Sequence, residues 1–370
     1  MKSRVIISIK RNKKIFDASC AFIMCGGVFL LYAADEMKKF VSATDAKINQ
    51  NYYCPRMRCK ALFEKRSKKA VHFAHYKSAC NLFTEGETVA HLKGKKLLAK
   101  WEEELGYSVQ PEAYLSDLKQ RPDVLVKRQG RNDLALEYQC APITPKRLVE
   151  RSNGYRSIGL NFFWILGQKY KLGKKLTNAT AKFIRWNASL GFYLLFLDPI
   201  NKKIEIDYGI QKADFLPVRY LRGYVKSLRE LRDFFNRNHS WKMYRLSADL
   251  RAEQSKKLEV RLHFSKGKIR KLQMACYTKR IDAKELIWDM VSPHYYQPIY
   301  SEDSCYWKSS LSLTLFSGES FSLQSEYFKI KRENCYFMPF VSSVDSILKK
   351  DISYVIKKSQ INSNYEKSET

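Results

Sequence analysis

The sequence predicts a mixed α/β (α+β) fold, in which helices flank a sheet of parallel and antiparallel strands. A helical pattern near residue 90 is followed by three strand-length runs, a second helical pattern and a further strand. Turn residues separate the three runs, which is typical of an antiparallel meander. The segments NFFWILG and LGFYLLFLD are continuous apolar runs, as expected of strands covered on both faces. Because a meander cannot be wholly parallel, the sheet is predicted to be mixed.

The two helices have recognisable ends. Apolar residues recur at helical spacing in the first helix, namely Val89, Leu92, Leu97, Leu98, Trp101 and Leu105. Gly106 follows at the position where a glycine commonly ends a helix. In the second helix, Thr144 is the expected N-cap and Pro145 the expected first residue. Each helix is therefore delimited by local chemistry as well as by its pattern.

The charge of the chain indicates a polyanionic partner. Its 370 residues include 67 Lys and Arg against 37 Asp and Glu, a formal net charge of +30. Such an excess destabilises a compact chain by self-repulsion unless a polyanion screens it, and the usual polyanion is nucleic acid. A hydrophobic content of 45% and an aromatic content of 14% argue against disorder. With no basic amphipathic helix to indicate a membrane surface, we expect DNA as the partner.

Four regions are expected: residues 1–30 as an N-terminal extension, 31–83 as a β-rich module, 84–200 as the central domain and 201–370 as a basic, mainly helical domain that binds DNA or a partner. The extension combines basic residues with an apolar run, so a secretion signal or an anchor is an alternative interpretation. The run is short for a spanning helix, and we interpret the segment as an upstream extension outside the natural product. Nine unevenly spaced cysteines favour a reducing cytoplasm.

A group of cysteines and histidines in the β-rich module predicts a zinc site. Cys54 and Cys59 form one close pair, and His75 with Cys80 forms the other. Zinc prefers four nitrogen or sulfur ligands in a tetrahedron, often supplied as two such pairs. His72 is an alternative ligand to His75. A site with four protein ligands would be structural, stapling a segment too short to build its own core; the other interpretation is buried cysteines and structural histidines.

Two acidic residues lie on neighbouring predicted strands. Asp123 begins one strand after Pro122, and Glu137 lies near the end of the next. If the strands pair through the intervening turn, the carboxylates come together and offer the oxygen ligands that Mg²⁺ or Mn²⁺ prefers. The metal would activate water and neutralise charge on a phosphodiester, with Gln139 on the same face orienting the water. The alternative is that Asp123 ends a turn and Glu137 pairs with an arginine.

The first helix adds polar candidates on one face. Glu87 and His91 are four residues apart, and Lys95 continues the line. The pattern Thr84-x-x-Glu87 is also a capping box, which would explain Glu87 without any catalytic role. A single helical histidine is commonly structural, but His91 or Lys95 could contact phosphate.

Six motifs resemble those of a known family, the CoiA-like competence proteins of transformable bacteria. They are CPRMRC, HFAH with its following Cys, EGETVAHLKGK, QRPDVLV, ALEYQC and ERSNGYRSIGLNFFWILG. The resemblance covers residues 31–200 and is weaker beyond. The central domain of that family is similar to the PD-(D/E)xK nucleases, which implies a restriction-endonuclease-like sheet. It also implies a cytoplasmic role in processing or recombining incoming DNA, with recombination proteins as candidate partners.

The resemblance assigns roles residue by residue. Pro122 and Asp123 match the PD element, Glu137 with Gln139 matches the (D/E)xK element, and Glu87 matches an acidic residue often found on the first helix. Gln139 departs from the usual Lys, which removes a cation that would polarise water or stabilise the transition state. The resemblance thus implies a Mg²⁺-dependent nuclease acting on DNA. Tyr and Trp residues between the C-terminal arginines could stack unpaired bases, which favours single-stranded or branched DNA as the substrate. The alternative is a DNA-binding recombination factor that has the fold and does not cut.

Overall fold

A computed structural model describes most of the chain, namely residues 29–30, 32–37, 40–48, 50–53, 60–64, 72–75, 89–316 and 322–368. The chain divides into two compact units, residues 1–93 with 114–121 and residues 94–113 with 122–370. Within the described ranges, no helix has both the length and the hydropathy needed to cross a membrane.

The first unit contains a six-stranded antiparallel sheet. Its strands are β1 (Phe29–Leu30), β2 (Tyr32–Ala34), β3 (Phe40–Ser42), β4 (Tyr52–Tyr53), β5 (Lys60–Glu64) and β6 (His72–His75). Their order across the sheet is β1-β6-β5-β4-β2-β3. Buried Tyr52 and Phe73 bring their ring centroids to 4.9 Å and form the small core with Ala33 and Ala43. The β-rich character expected of this region is present.

The second unit contains a mixed sheet of eight strands. They are β7 (Ser108–Pro111), β8 (Val124–Lys127), β9 (Leu134–Gln139), β10 (Asn161–Leu166), β11 (Arg185–Asn187), β12 (Gly191–Asp198), β13 (Lys203–Gln211) and β14 (Arg219–Val225). The order is β14-β13-β12-β10-β9-β8-β7, with β11 paired to β12. β10 is parallel to β9 and β12, and the other pairs are antiparallel. The predicted meander and the mixed sheet are both confirmed.

Ten α-helices are described, together with a short 3₁₀ helix at Gln168–Tyr170. They are α1 (Val89–Glu103), α2 (Pro145–Ser157), α3 (Asn178–Ala181), α4 (Leu228–Asn236), α5 (Ala248–Phe264), α6 (Gly267–Thr278), α7 (Ala283–Met290), α8 (Ser304–Phe316), α9 (Leu323–Asn334) and α10 (Val344–Ser368). Thr144 caps α2, its hydroxyl accepting a hydrogen bond from the Arg147 amide at 3.2 Å, and Pro145 is the first helical residue. These predicted helix ends are confirmed.

The main core lies between α1 and the sheet. Leu98 and Trp101 of α1 are buried in the same cluster as Val124 of β8 and Leu136 of β9. At Gly94 the helix comes so close to the sheet that an added Cβ would lie 2.1 Å from Cε1 of Tyr138. Only glycine permits this approach without displacing the Tyr138 ring. The tight contact fixes β9, the strand that carries Glu137, against α1.

The sheet continues beyond residue 200, where the sequence suggested a change of domain. β13 and β14 add two antiparallel strands to it, and β13 is almost wholly buried. The sequence did not indicate β13 as an interior strand because buried Glu205 and Asp207 alternate with Ile204 and Ile206. The segment therefore lacks a continuous apolar run. After β14 the described chain is helical.

Asp214 connects the end of the sheet to the helical region. Its Oδ1 accepts hydrogen bonds from the backbone amides of Ser304 at 2.6 Å and Cys305 at 3.2 Å, at the beginning of α8. The Tyr296 hydroxyl donates to the same oxygen at 2.9 Å. A carboxylate at a helix N-terminus satisfies amides that have no partner within the helix and interacts favourably with the helix dipole. Asp214 is therefore a structural acid.

Candidate active site

The turn between β8 and β9 brings Asp123 and Glu137 together, as the sequence predicted. The two strands pair antiparallel with Val124 opposite Leu136, so Asp123, one residue before β8, comes opposite Glu137. The Tyr138 amide donates a hydrogen bond to Oδ2 of Asp123 at 2.7 Å. Asp123 is close enough to Glu137 to make its ionisation less favourable. The register of one hairpin thus produces a pair of neighbouring carboxylates.

Glu137 is 3% exposed and is held by two residues of α2. The guanidinium of Arg151 and the hydroxyl of Tyr155 both donate hydrogen bonds to Oε1 of Glu137. Arg151 Nη2 also donates to the Tyr155 hydroxyl oxygen at 3.2 Å. Because Arg151 and Tyr155 are four residues apart on a helix, they project from the same face toward the strand.

The electrostatics of this group are dominated by burial. Burial raises the pKa of Glu137, the positive charge of Arg151 opposes that rise, and Asp123 adds to it. Burial would lower the pKa of Arg151, but Glu137, Tyr155 and Asp123 outweigh it, and the pKa of Arg151 is raised. The pKa of Tyr155 is raised by burial and by Glu137, so its hydroxyl keeps its proton and acts as a donor.

The two oxygens of Glu137 have different surroundings. Both donors meet at Oε1, and within the described part of the chain no donor bonds Oε2. Oε2 is therefore the atom of this group that is suited to an added ligand. Asp123 is partly exposed and next to it. The arrangement can therefore present carboxylate oxygens from two strands to a cation.

Gln139, the third expected residue of the acidic motif, is tied to the backbone. Its side-chain Nε2 donates to the carbonyl oxygen of Ala141 at 2.6 Å. Lys95, proposed as a phosphate contact, is 3% exposed and its Nζ lies 2.5 Å from Oε1 of Glu112. The Glu112 amide in turn donates to the carbonyl oxygen of Asp123 at 3.0 Å. Lys95 therefore supports the backbone beside the carboxylates through a buried ion pair.

Of the remaining candidates, His91 lies on α1 and is half-buried, and Glu87 lies outside the described residues. So do three of the four preferred zinc ligands, which are Cys54, Cys59 and Cys80. His75 and the alternative ligand His72 are the two ends of β6. Among the residues whose placement is described, no three His, Cys, Asp or Glu side chains are grouped so as to hold a metal ion.

Arg151, Tyr155 and Glu112 were not singled out from the sequence. Arg151 and Tyr155 are an i, i+4 pair on a short polar helix, which is a usable signal for a face turned toward the sheet. Glu112 gives no local signal, because its importance comes from the approach of Lys95 across a tertiary contact. Its backbone has a φ of 53°, a left-handed conformation that is uncommon outside glycine.

The described domain is a mixed α/β domain, in which helices flank an eight-stranded sheet and two neighbouring carboxylates lie on adjacent antiparallel strands. Residues 87–214 match the family described as "Competence protein CoiA, nuclease-like domain". The "Competence protein CoiA" of Bacillus subtilis (strain 168) is 34% identical over 173 residues.

The CoiA match covers 46% of this chain and 44% of the relative, so the aligned part spans less than half of that protein. The predicted resemblance is confirmed: residues 87–214 match the CoiA nuclease-like domain, and the chain is similar to the Bacillus subtilis protein over 173 residues.

Proposed function

We propose that the chain is a metal-dependent phosphodiesterase that cuts DNA during the uptake and recombination of foreign DNA. The observation that carries the proposal is the carboxylate pair on β8 and β9, in which Asp123 lies beside Glu137 and no described donor bonds Oε2 of Glu137. Single-stranded or branched DNA is the expected substrate.

The donor set fits a hard divalent cation such as Mg²⁺ or Mn²⁺. Carboxylate oxygens are the ligands such ions prefer, and they retain several waters when few protein ligands are available. Asp123 and Glu137 would hold the ion, which would supply an activated water and neutralise charge on the phosphodiester. The unfavourable interaction between the two carboxylates supports this assignment, because a cation between them relieves it.

The residues around the pair hold it in position. Arg151 and Tyr155 both donate hydrogen bonds to one oxygen of Glu137, and these bonds hold its carboxylate in one orientation. Gln139, bonded to the Ala141 carbonyl, has an amide that can orient a water but cannot supply the positive charge of a lysine. Arg151 is the cation nearest to Glu137 and offsets its charge within the protein.

The remaining regions are assigned supporting roles. The net charge of +30 favours binding to a polyanion, and residues 201–370 would hold DNA or a recombination protein. A structural zinc bound by Cys54, Cys59, His75 and Cys80 would staple the N-terminal module. The proposed setting is the cytoplasm, where cysteines remain reduced.

The test is cleavage of single-stranded, duplex and branched DNA with Mg²⁺, Mn²⁺ or EDTA. We expect metal-dependent cutting that falls roughly a hundredfold or more in Asp123→Asn and in Glu137→Gln, comparable with the loss on removing one preorganised group that stabilises a transition state. Glu205→Gln is the matched control, since Glu205 is an equally buried glutamate of the same sheet. We expect Glu205→Gln to cut DNA as the unmodified protein does. Folding of the variant is verified before the assay.

A second function, DNA binding without cleavage, is favoured by one specific observation. Oε1 of Glu137 and the amide of Gln139 are already bonded within the protein, as in a site with a structural purpose. If no substrate is cut with any metal while DNA binding is equal in the unmodified protein and both site variants, this function replaces the first. Equal loss of cutting in Glu205→Gln would also count against the proposed site.

A further inference from the structure

A cavity lined by arginines lies at the other end of the strands that carry the candidate active site. Its volume is about 500 Å³, and its lining includes Arg128, Arg156 and Arg185. Leu134, the first residue of β9, and Asn161, the first residue of β10, also line it. Glu137 and Gln139 lie toward the opposite end of β9. The cavity is therefore separate from the carboxylate pair.

Arg128 is near enough to Glu102 and Asp133 to favour their charged forms, but these carboxylates do not form direct ion pairs with the cavity arginines. Within the described chain, no carboxylate lies at ion-pair distance from any of the three guanidiniums. Arg156 Nη1 donates to Oδ1 of Asn153 at 2.8 Å, and Arg185 Nη2 donates to the carbonyl oxygen of Phe162 at 3.0 Å. The Nε atoms of Arg128 and Arg185 are buried and have no hydrogen-bond partner. Buried donors of this kind normally have partners, so these two guanidiniums are not fully satisfied by the described residues.

Aromatic rings hold two of the guanidiniums in place. Arg185 lies over Phe163, with 4.7 Å from its Cζ to the ring centroid, and Arg156 lies over Phe162 at 5.1 Å. Such contacts stabilise a cation without neutralising it. Burial lowers the pKa of Arg185, and neighbouring Arg156 lowers it further. Because arginine stays protonated in proteins, like charges remain close together here, and a bound anion would relieve their repulsion.

We propose that this cavity binds a phosphate group. Planar guanidiniums with forked donors match the oxygens of phosphate, and several cations around one cavity suit an oxyanion of more than one charge. The volume accommodates a nucleotide as well as a free phosphate ion. The phosphate belongs to a free nucleotide, to the end of a nucleic-acid strand or to its backbone. The proposal does not rest on cleavage by the carboxylate pair.

The experiment is calorimetric titration of the full chain with inorganic phosphate at constant ionic strength, followed by competition. The competitors are a deoxynucleoside monophosphate and a short oligonucleotide with and without a 5′-phosphate. Arg156→Ala is expected to weaken phosphate binding about tenfold or more, the loss of a charge-assisted hydrogen bond. Arg156→Lys retains the charge without the forked donors. Its affinity for phosphate is expected to lie between those of the unmodified protein and Arg156→Ala.

Arg147→Ala is the matched control, because Arg147 is exposed on the same helix and does not line the cavity. It should bind phosphate as the unmodified protein does. Phosphate that does not bind saturably, or that binds equally weakly to Arg147→Ala and Arg156→Ala, overturns the proposal. Competition by the 5′-phosphorylated strand alone identifies a strand end, equal competition by both strands identifies the backbone, and competition by the monophosphate alone identifies a free nucleotide.

Discussion

Two groups of buried carboxylates lie in the same sheet, and their partners differ. On β13, Glu205 is 2% exposed and Asp207 is 0% exposed, comparable with Glu137 on β9. Arg222, opposite Asp207 on β14, bonds Asp207 side-on, with Nε 2.7 Å from Oδ1 and Nη2 3.1 Å from Oδ2. Its Nε also lies 3.1 Å from Oε1 of Glu205, and Lys171 Nζ lies 2.9 Å from Oε2.

Every carboxylate oxygen of the β13 group thus lies within ion-pair distance of a cationic nitrogen, although Oε1 of Glu205 has no hydrogen-bond partner. The donors to Glu137, in contrast, meet at one oxygen. An arginine beside a buried glutamate therefore does not distinguish a structural acid from a functional one. What distinguishes them is whether each carboxylate oxygen has a cation within ion-pair distance, as in Glu205, or only one does, as in Glu137. On this criterion Glu205 and Asp207 are structural, and Glu137 is suited to binding. The following predictions test that distinction.

The largest expected effect follows removal of the shared cation, Arg222. Arg222→Met leaves two buried carboxylates with only Lys171, and we expect the free energy of unfolding to fall by about 3 kcal/mol, the lower end of the range for broken buried ion pairs. The lower end applies because the Arg222 side chain is 32% exposed. Chemical denaturation measures the loss.

The matched control for Arg222→Met is Arg229→Met, which removes an exposed arginine of α4. Its expected effect is within about 0.5 kcal/mol. Equal stability of the two variants would mean that the β13 carboxylates do not depend on Arg222, and the comparison between the two groups would fail.

A smaller effect is expected at Tyr155, whose hydroxyl donates to Glu137. Tyr155→Phe should lower the free energy of unfolding by about 2 kcal/mol, since a hydrogen bond to a charged group contributes roughly that amount. Tyr336→Phe removes a bond to the neutral carbonyl oxygen of Leu176 and is expected to cost about 1 kcal/mol. If Tyr155→Phe and Tyr336→Phe lower the free energy of unfolding equally, the charge of Glu137 is stabilised by Arg151 and not by Tyr155.

The sequence was sufficient for the carboxylate pair because the pair depends on local geometry. Asp123 and Glu137 are joined by one short hairpin, and the alternation of the two strands determines their register. The helix ends at Thr144 and Pro145 were likewise readable from local chemistry. Arg151 and Tyr155 were not, because their partner depends on how α2 docks against β9.

The extent of the sheet was also hard to predict, and for a different reason. β13 carries buried acids, and β14 carries Arg219 and Arg222, so neither strand shows the apolar signature of an interior strand. The ion pairs that make their burial acceptable form only in the folded sheet. The arginine cavity has the same origin: Arg128, Arg156 and Arg185 are far apart in the sequence and come together through the fold.

The smallest expected effect is a pH dependence from Asp207. Burial raises its pKa above the ordinary 3.8, and the hydrogen bond and charge of Arg222 oppose that rise without cancelling it. A raised pKa in the folded state means that folding favours the protonated form. The contribution of Asp207 to stability is therefore greatest below about pH 4 and declines as the pH rises through the raised pKa.

Denaturation of the unmodified protein and of Asp207→Asn between pH 3.5 and 6.5 measures this contribution. Asparagine does not titrate, so the stability difference between the two proteins should shift in favour of Asp207→Asn as the pH rises, by at most about 1.4 kcal/mol per pH unit. A shift in the opposite direction would mean that Arg222 outweighs burial and that the folded-state pKa of Asp207 is lowered. The folded protein would then stabilise the charged form of Asp207. The two groups would differ more strongly, because burial raises the pKa of Glu137 by more than Arg151 lowers it.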